Sequence, residues 1–299
     1  MEKQEILVSI SCITYNQASS IRQCLDGFMM QKTDFAFEVL IHDDASTDGT
    51  ADIIREYEEK YPAIIKPVYE KENQWIKGRR GSAVFNFPRA KGKYIAICEG
   101  DDYWIDSNKL QMQVDILESN PEVSFVYSSF KTVDDIGNEI HRPFFNDCIK
   151  KSRSGYIVDS LLKGNYILTL TTCFRKSMLM SNKYLSGYNG NQFDYYFFIK
   201  AAMQGPVVFI PDELGVYRKS PNGIVNSARE EILSWFINVY KHAVIDFIKF
   251  KEIKTNYTLL SRIKVILHAF YRSVKWSLTS KDKQFMHMLL KSLILSKDV

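Results

Sequence analysis

Segments with the spacing of strands and of helices alternate along the first half of the chain, and this alternation constrains the fold most strongly. Apolar runs at residues 7–13 and 38–41 predict strands, whereas residues 20–30 and 48–59 carry apolar side chains at helical spacing. Strands that alternate with helices form βαβ units, whose strands pair in parallel. We therefore expect an α/β fold, with a mostly parallel central sheet flanked by helices.

The pattern becomes helical only after the turn-forming run Ser220-Pro221-Asn222-Gly223. Further strands are expected at 64–69, 94–98, 123–127 and 207–210, and further helices at 107–118, 155–162 and 192–203. Residues 71–90 show no clear period and are expected to form a loop over the sheet edge. We therefore predict an α/β domain at 1–222 and a helical C-terminal extension at 223–299.

Composition excludes several classes of protein. With 299 residues, 45% of them hydrophobic, the chain buries a sizeable core. Its 39 basic and 35 acidic residues give a net charge of +4, which is too balanced to indicate a nucleic-acid partner. The five cysteines are scattered, without a Cys-x-x-Cys pair, which favours free thiols in a reducing compartment. An acidic N-terminus and the lack of an apolar run of about 18 residues predict a cytoplasmic protein.

Two adjacent carboxylates follow the apolar segment at 94–98, in the run Cys98-Glu99-Gly100-Asp101-Asp102-Tyr103-Trp104. Like charges side by side are costly unless a cation or hydrogen-bond donors compensate them. A divalent metal shared with phosphate oxygens would provide this compensation at Asp101 and Asp102. The alternative is a solvated turn that leads into a helix capped by Asp106 and Ser107.

Two more predicted strands end in polar residues, and ligands of open α/β sheets gather at such strand ends. Thr14-Tyr15-Asn16 places an aromatic ring between small hydrogen-bonding groups, which suits stacking on a nucleobase and framing it. The run Asp43-Asp44-Ala45-Ser46-Thr47-Asp48 supplies an acid that would accept from a base N–H or a ribose hydroxyl. Together these motifs indicate a nucleoside-diphosphate pocket, although each alone is also typical of an ordinary turn or helix cap.

The usual glycine-rich phosphate-binding motifs are absent from the sequence. It contains neither a Gly-x-x-x-x-Gly-Lys-Ser/Thr loop nor a Gly-x-Gly-x-x-Gly motif after the first strand. We therefore predict neither a P-loop enzyme nor a dinucleotide dehydrogenase. Without such a cradle, a metal at Asp102 is the best candidate for neutralising a pyrophosphate.

Three segments in this order, 8–16, 39–50 and 92–104, resemble the motifs of family 2 glycosyltransferases. The resemblance extends over residues 5–220. It implies the nucleotide-diphospho-sugar transferase fold, known as GT-A, for the catalytic domain at 1–222. It also implies a site that depends on Mn²⁺ or Mg²⁺, a nucleoside-diphosphate sugar such as a UDP-sugar as donor, and inversion at the anomeric carbon.

Carried over by position, the resemblance assigns roles to the matching residues. Ile13 and Tyr15 would line the base pocket, and Asp44 would contact the uracil or its equivalent. Asp101 would contact the ribose and Asp102 the metal, with Asp101 as the second carboxylate of the metal site.

The family also places a catalytic base on a later helix, and Asp194 matches that position within residues 191–200. An inverting transfer needs a carboxylate that takes the proton of the acceptor hydroxyl. A position near a helix N-terminus would favour the ionised form of Asp194 at neutral pH. The alternative is that Asp194 only caps the helix.

The chain departs from the commonest family pattern at several positions. Either Arg79 or Arg80 would bind pyrophosphate, or both are solvated loop charges. His42 stands before the acid pair where an apolar residue is usual, and a lone histidine there is more often structural than catalytic. The Gln-x-x-Arg-Trp signature of processive polysaccharide synthases is absent, which favours transfer of a single sugar.

Residues 251–299 carry ten Lys/Arg side chains and three acidic ones. Apolar residues recur at a three-four spacing from Ile253 to Val274, which predicts an amphipathic helix with basic residues around it. Such a helix either lies on an anionic membrane surface or packs on the catalytic domain or a second subunit. We favour peripheral membrane contact, because family members of this length often glycosylate lipid-linked acceptors.

The sequence therefore predicts an inverting, metal-dependent glycosyltransferase that moves one sugar to a saccharide or lipid-linked acceptor in surface polysaccharide or glycolipid synthesis. Two alternatives stay open. A nucleotidyltransferase on a similar sheet would release pyrophosphate instead of a nucleoside diphosphate. A membrane-attached binding protein with a vestigial catalytic domain would carry out no transfer.

Overall fold

The computed structural model describes residues 5–79, 81–141, 143–180 and 193–219, together with Leu267 and Tyr271. Within these residues the fold is α/β, as predicted, with one central sheet. The strands are β1 Ile6–Thr14, β2 Ala36–Asp43, β3 Ile65–Tyr69, β4 Tyr94–Ile97, β5 Tyr103–Trp104, β6 Phe125–Val133, β7 Thr172–Arg175 and β8 Val207–Arg218. The helices are α1 Ile21–Met29, α2 Thr50–Lys60, α3 Ser82–Phe85, α4 Lys109–Ser119, α5 Pro143–Lys151, α6 Val158–Leu161, α7 Lys176–Met180 and α8 Phe193–Ala202.

The described strands form a sheet in the order β3-β2-β1-β4-β7-β6-β8-β5. The first four are parallel to one another, as βαβ connections require. β7 lies between β4 and β6 and is antiparallel to both. β6 and β8 are parallel to each other. The short β5 forms the far edge of the sheet, antiparallel to β8. The sheet is therefore mostly parallel, and its two parts are joined through β7.

Each face of the sheet carries its own apolar core, because successive side chains of a strand point to opposite faces. Leu40, Ile95 and Phe125 lie on the face covered by α6 and α8. Their neighbours Ile41 and Ala96 lie on the opposite face, covered by α1, α2 and α4. Burial on both faces explains why the strands of the first half appear in the sequence as short, nearly continuous apolar runs.

Several elements differ from the sequence-based expectation. β5, β7 and α5 were not predicted, and β6 and β8 run well beyond the expected ends. The helix expected at 155–162 is the single turn α6, and the loop expected at 71–90 contains α3 and a 3₁₀ turn at Phe87–Arg89. β5, β7, α3 and α6 have only two to four residues, which is too short for a periodic pattern, and β6 and β8 continue through irregular pairing beyond Ser128.

The predicted extension at 223–299 lies outside the described residues, apart from Leu267 and Tyr271, so the domain boundary stays a prediction. All five cysteines lie in the described part of the chain, where they are free and buried. Free thiols are therefore confirmed. Among the residues that the structure describes, no helix combines the length and the apolar character needed to cross a bilayer.

Candidate active site

The carboxyl ends of β1, β2 and β4 meet at one edge of the sheet. Thr14 pairs with Asp43 and Ser11 with Ile97, so the polar segments that follow these strands begin side by side. Backbone hydrogen bonds continue the contact beyond the strands, from Asp44 N to Thr14 O at 3.0 Å. The structure thus brings together the three polar segments that the sequence singled out.

Gly100 allows the segment after β1 to pack directly on the acidic turn, defined as Glu99–Asp102. A Cβ atom at Gly100 would lie 2.5 Å from Gln17 Oε1 and 2.8 Å from Thr14 Oγ1. The Gly100 N–H also donates to Ile13 O at 3.1 Å. Gln17 is therefore a site residue that the sequence did not reveal, and it lies close enough to Asp101 to favour the ionised form of that carboxyl group.

Glu99, Asp101, Asp102 and Asp194 form an acidic cluster whose members act on one another electrostatically. Burial raises the pKa of Asp102, and the negative charges of Asp101 and Glu99 raise it further. Burial likewise raises the pKa of Glu99 to about 7, with added contributions from Asp101 and Asp194. Asp194, at the start of α8, thus lies close enough to the acidic turn to share one electrostatic environment with it.

Hydrogen bonds hold the two ends of the acidic turn. Thr169 Oγ1 donates to Glu99 Oε2 at 2.6 Å, and the backbone N–H of Arg218 donates to Asp102 Oδ1 at 2.9 Å. Glu99 and Asp102 therefore each accept a hydrogen bond from a residue distant in the chain. The sequence did not predict that Thr169 and Arg218 contact the acidic turn, because only the packed sheet brings them to it.

Asp194 remains accessible to solvent. The protein packed around it nevertheless raises its pKa, and this effect outweighs the backbone N–H groups of Asp194 and Tyr195 at the helix start. The helix N-terminus alone would lower the carboxyl pKa, and burial adds an opposing effect that only the structure shows. A carboxylate with a raised pKa is a stronger proton acceptor.

The chemistry of the acidic turn fits a divalent metal shared with a phosphorylated ligand. Asp102 is 3% exposed, and its Oδ1 accepts only a neutral N–H group, so its charge lacks a paired cation among the described residues. Within the same residues, no three metal-ligating side chains converge. Mg²⁺ commonly binds one or two carboxylates and completes its shell with water and substrate phosphates. The pair therefore suits a metal that arrives with a diphosphate.

Asp44 lies at the expected strand end, but its carboxylate already has protein partners. Oδ1 accepts the backbone N–H of Gln74 at 2.6 Å, and Oδ2 accepts that of Trp75 at 3.2 Å. These bonds hold the loop that follows β3 against the end of β2. Each carboxylate oxygen has a second lone pair, so a base N–H would add to these bonds.

Asn16 links the segments after β1 and β2. Its Oδ1 accepts the backbone N–H of Thr47 at 2.8 Å, and its own N–H donates to Ser46 Oγ at 2.9 Å. Its backbone adopts a left-handed conformation with φ of 51°, which asparagine tolerates. The Asn16 amide oxygen thus already accepts a hydrogen bond within the protein, whereas the sequence predicts that Asn16 helps to frame the base.

The remaining predicted binding residues differ in accessibility. Tyr15 is 46% exposed, so its ring is free for stacking, and Ile13 is half-buried beside it. Arg80 lies outside the described residues, and its predicted role stays a prediction. The neighbouring Arg79 donates to Gln74 Oε1 at 3.2 Å and lies over the ring of Phe85.

Residues 9–220 match the family described as glycosyl transferase family 2, and this chain belongs to that family. The first curated relatives are uncharacterized mycobacterial proteins, among them one from Mycobacterium tuberculosis. It is 34% identical over 228 residues, which cover 74% of this chain but 61% of that protein. The chain thus spans about three-fifths of the length of these relatives.

Relatives and neighbours with descriptive names agree with this family. An Escherichia coli UDP-Glc:alpha-D-GlcNAc-diphosphoundecaprenol beta-1,3-glucosyltransferase is 35% identical over 124 residues, 42% of this chain and 46% of that protein. TarS of S. aureus, solved with UDP-GlcNAc, superposes with a TM-score of 0.64 at 18% identity over 96% of this chain and 80% of its own. A mannosyltransferase of Pyrobaculum calidifontis, solved with GDP-Man and Mn²⁺, gives 0.52 at 18% identity over 99% and 90%. The fold is therefore GT-A.

Proposed function

We propose that the protein transfers a single sugar from a nucleoside-diphosphate sugar to an acceptor hydroxyl, with inversion at the anomeric carbon and with a divalent metal at Asp102. The observation that supports this function is the placement of Asp194 beside the acidic turn. Asp194 would thereby supply a proton acceptor next to the carboxylate pair Asp101 and Asp102, at the sheet edge that also carries Tyr15 and Asp44. A transferase needs this combination of base, metal pair and nucleotide-binding groups in one cleft.

Each residue has a distinct task in the proposed reaction. Tyr15 stacks on the base and Asp44 accepts its N–H, while Asp101 accepts a ribose hydroxyl. Asp102, with Asp101 beside it, would hold the metal, which would supply positive charge to the diphosphate leaving group. Asp194 accepts the proton of the acceptor hydroxyl as that oxygen attacks the anomeric carbon from the face opposite the diphosphate. The raised pKa of Asp194 strengthens it as a base.

A UDP-sugar is the proposed donor. The named Escherichia coli relative uses UDP-Glc, and the TarS structure contains UDP-GlcNAc, which supports uridine as the nucleoside. Mn²⁺ or Mg²⁺ is the proposed metal, and the Mn²⁺ in the mannosyltransferase neighbour supports this assignment. The absence of a Gln-x-x-Arg-Trp motif from the sequence supports one transfer per turnover.

The proposed acceptor is a saccharide or a lipid-linked saccharide of a surface polysaccharide or glycolipid. The acceptor named for the Escherichia coli relative is lipid-linked, which supports this class. We place the reaction in the cytoplasm, at the inner membrane face, with residues 251–299 as the membrane contact. That contact depends on the basic amphipathic pattern of the sequence alone, because these residues lie outside the described part apart from Leu267 and Tyr271.

The Asp194→Asn substitution tests the assignment of the base. We expect sugar transfer to fall at least about 100-fold, because general acid–base groups contribute about 10²–10⁴-fold. Binding of UDP with Mn²⁺, measured by calorimetry, should stay unchanged, since the amide has the same shape. The matched control is Asp212→Asn, which removes an exposed carboxylate of β8 and should leave transfer unchanged.

Product analysis separates the proposal from its alternatives. Wild-type protein should release a nucleoside diphosphate and a glycoside of inverted configuration, which ³¹P and ¹H NMR identify. Release of pyrophosphate would show a nucleotidyltransferase, and failure to turn over any nucleotide sugar would indicate a binding protein. Full transfer activity of the Asp194→Asn protein would exclude Asp194 as the base.

A further inference from the structure

Arg218, the last residue of β8, contacts the acidic turn with both its backbone and its side chain. Its backbone N–H donates to Asp102 Oδ1 at 2.9 Å. Its side-chain Nε donates to the backbone carbonyl of Asp101 at 3.1 Å. One residue therefore holds the peptide of the first aspartate and the carboxylate of the second, although it lies 116 positions away from Asp102 in the chain.

The same guanidinium joins two further elements to the turn. Nη1 donates to the backbone carbonyl of Asp135, in the segment after β6, at 3.2 Å. Nη2 donates to Gln23 Oε1 of α1 at 2.5 Å. The guanidinium also lies 5.4 Å from the centre of the Tyr103 ring, next to the turn. Arg218 thus fixes the position of the turn relative to α1, β6 and β8.

The acceptors of the Arg218 side chain are all neutral. They are two backbone carbonyls and one amide oxygen, and none of the ion pairs among the described residues includes Arg218. A guanidinium paired with Asp101 or Asp102 would compete with a metal for the carboxylate oxygens. Arg218 instead leaves those oxygens to a cation, while its positive charge still favours the ionised form of both carboxyl groups.

We propose that Arg218 is a positioning residue that holds the Asp101–Asp102 turn in the geometry that binds the metal. This inference rests on the proposed function, because it takes Asp102 as the metal-binding carboxylate. Planar guanidinium geometry is essential to the role, since its N–H groups point toward acceptors on three different elements. A lysine keeps the positive charge, but its single ammonium group on a flexible chain cannot donate to all of these acceptors at once.

The test compares Arg218→Lys with Arg175→Lys. Arg175 is a matched control because its guanidinium also binds backbone carbonyls, those of Leu117, Asn120 and Val123, at the far end of β7. Mn²⁺ binding in the presence of UDP is measured by the loss of the free Mn²⁺ signal in electron paramagnetic resonance. We expect the dissociation constant to rise about tenfold or more in Arg218→Lys, because groups that orient metal ligands contribute about 10–100-fold to affinity. It should stay unchanged in Arg175→Lys.

A second measurement reports on the turn itself. Amide hydrogen exchange at residues 99–104, followed without metal or nucleotide, should speed up in Arg218→Lys and stay as in the wild type in Arg175→Lys. If wild-type protein binds Mn²⁺ and Arg218→Lys binds it equally well, the positioning role is wrong while the proposed function stands. If wild-type protein with UDP binds no Mn²⁺, the metal site is wrong and the inference fails with it.

Discussion

At the scale of single residues, His42 shows how burial next to the site controls protonation. Its side chain is 1% exposed and stacks on the ring of Phe85, with centroids 3.7 Å apart. Nε2 lies 3.8 Å from Asp44 Oδ1, and Nδ1 lies 3.9 Å from Glu70 Oε1. Burial lowers the pKa of His42 to about 4 despite the nearby carboxylate, so the imidazole is neutral at pH 7.

This shift predicts a loss of stability in mild acid. The unfolded imidazole takes up a proton below about pH 6.5, whereas the folded one does so only near pH 4. The contribution of His42 is therefore complete above the unfolded pKa and is lost as the pH falls through this window. It amounts to at most about 3 kcal/mol, at about 1.4 kcal/mol per unit of pKa. Urea unfolding at pH 7.5, 6 and 5 measures it.

The substitution His42→Phe isolates this contribution, because other carboxyl groups titrate in the same range. Phenylalanine keeps the ring against Phe85 but cannot take up a proton. The free energy of unfolding of the variant should fall less than that of the wild type between pH 7.5 and 5. Parallel pH profiles for the two proteins would show that His42 titrates normally.

At the scale of elements, the contact between α1 and β5 helps to fix the position of the acidic turn. Gly27 of α1 lies against the backbone of Trp104, where an added Cβ would be 2.9 Å from both its N and its O. Phe28 packs edge-on against the Trp104 ring at 4.9 Å, and the indole N–H donates to Leu170 O at 2.9 Å. Because β5 begins directly after Asp102, this packing also determines where the turn lies.

The substitution Gly27→Ala tests this close contact. Alanine is a better helix former than glycine by about 1 kcal/mol, so an effect on α1 alone would stabilise the protein. We expect the opposite, a destabilisation of about 1–3 kcal/mol, because overpacking pushes the helix away from β5. Urea unfolding and the near-ultraviolet circular dichroism of the tryptophans measure the change. Glu59→Ala, on the exposed side of α2, is the control and should be close to neutral. A stabilised Gly27→Ala protein would show that α1 and β5 are not in such close contact.

At the scale of the whole molecule, the site joins the two parts of the sheet. The parallel strands β1, β2 and β4 carry Tyr15, Asp44 and the acidic turn. The part beyond β7 supplies Arg218 at the end of β8, and Asp194 comes from the helix that precedes β8. A ligand bound at the turn would therefore contact groups from both parts, and it would stabilise the whole fold by mass action.

We expect UDP and Mn²⁺ together to raise the melting temperature more than either alone, because the diphosphate completes the metal shell. At a free ligand concentration about 100 times the dissociation constant, the stabilisation is about 2.7 kcal/mol. Thermal unfolding followed by circular dichroism measures the shift. In Asp102→Asn, the increment due to Mn²⁺ should disappear. An equal shift by UDP in the presence of a chelator would contradict the role of the metal.

Local pattern was sufficient to predict the first half of the fold and the segments that meet there. β1, β2 and β4 appear in the sequence as short apolar runs, each followed by polar residues. Parallel strands place their carboxyl ends at one edge, so the pattern predicts that Tyr15, Asp44 and Asp102 lie at the same edge. The pairing of β4 with β1, which makes their segments neighbours, is a property of the tertiary structure. The hydrogen-bond partners of the Asp44 carboxylate and of the Asn16 amide did not follow, since they belong to loops without a periodic pattern.

The sequence by itself determined the α/β class, the parallel strands of the first half and the position of the acidic turn along the chain, because hydrophobic periodicity and the alternation of strands with helices are local properties of the chain. Only the tertiary structure decided that β7 inserts antiparallel between β4 and β6, and that Arg218 and Thr169 reach the turn. Such contacts join residues that are far apart in the chain, from 45 positions for the pair Tyr127 and Thr172 to 117 for the bond between Arg218 and Asp101. These contacts depend on how the sheet and its helices pack in three dimensions. The local sequence pattern does not predict that packing.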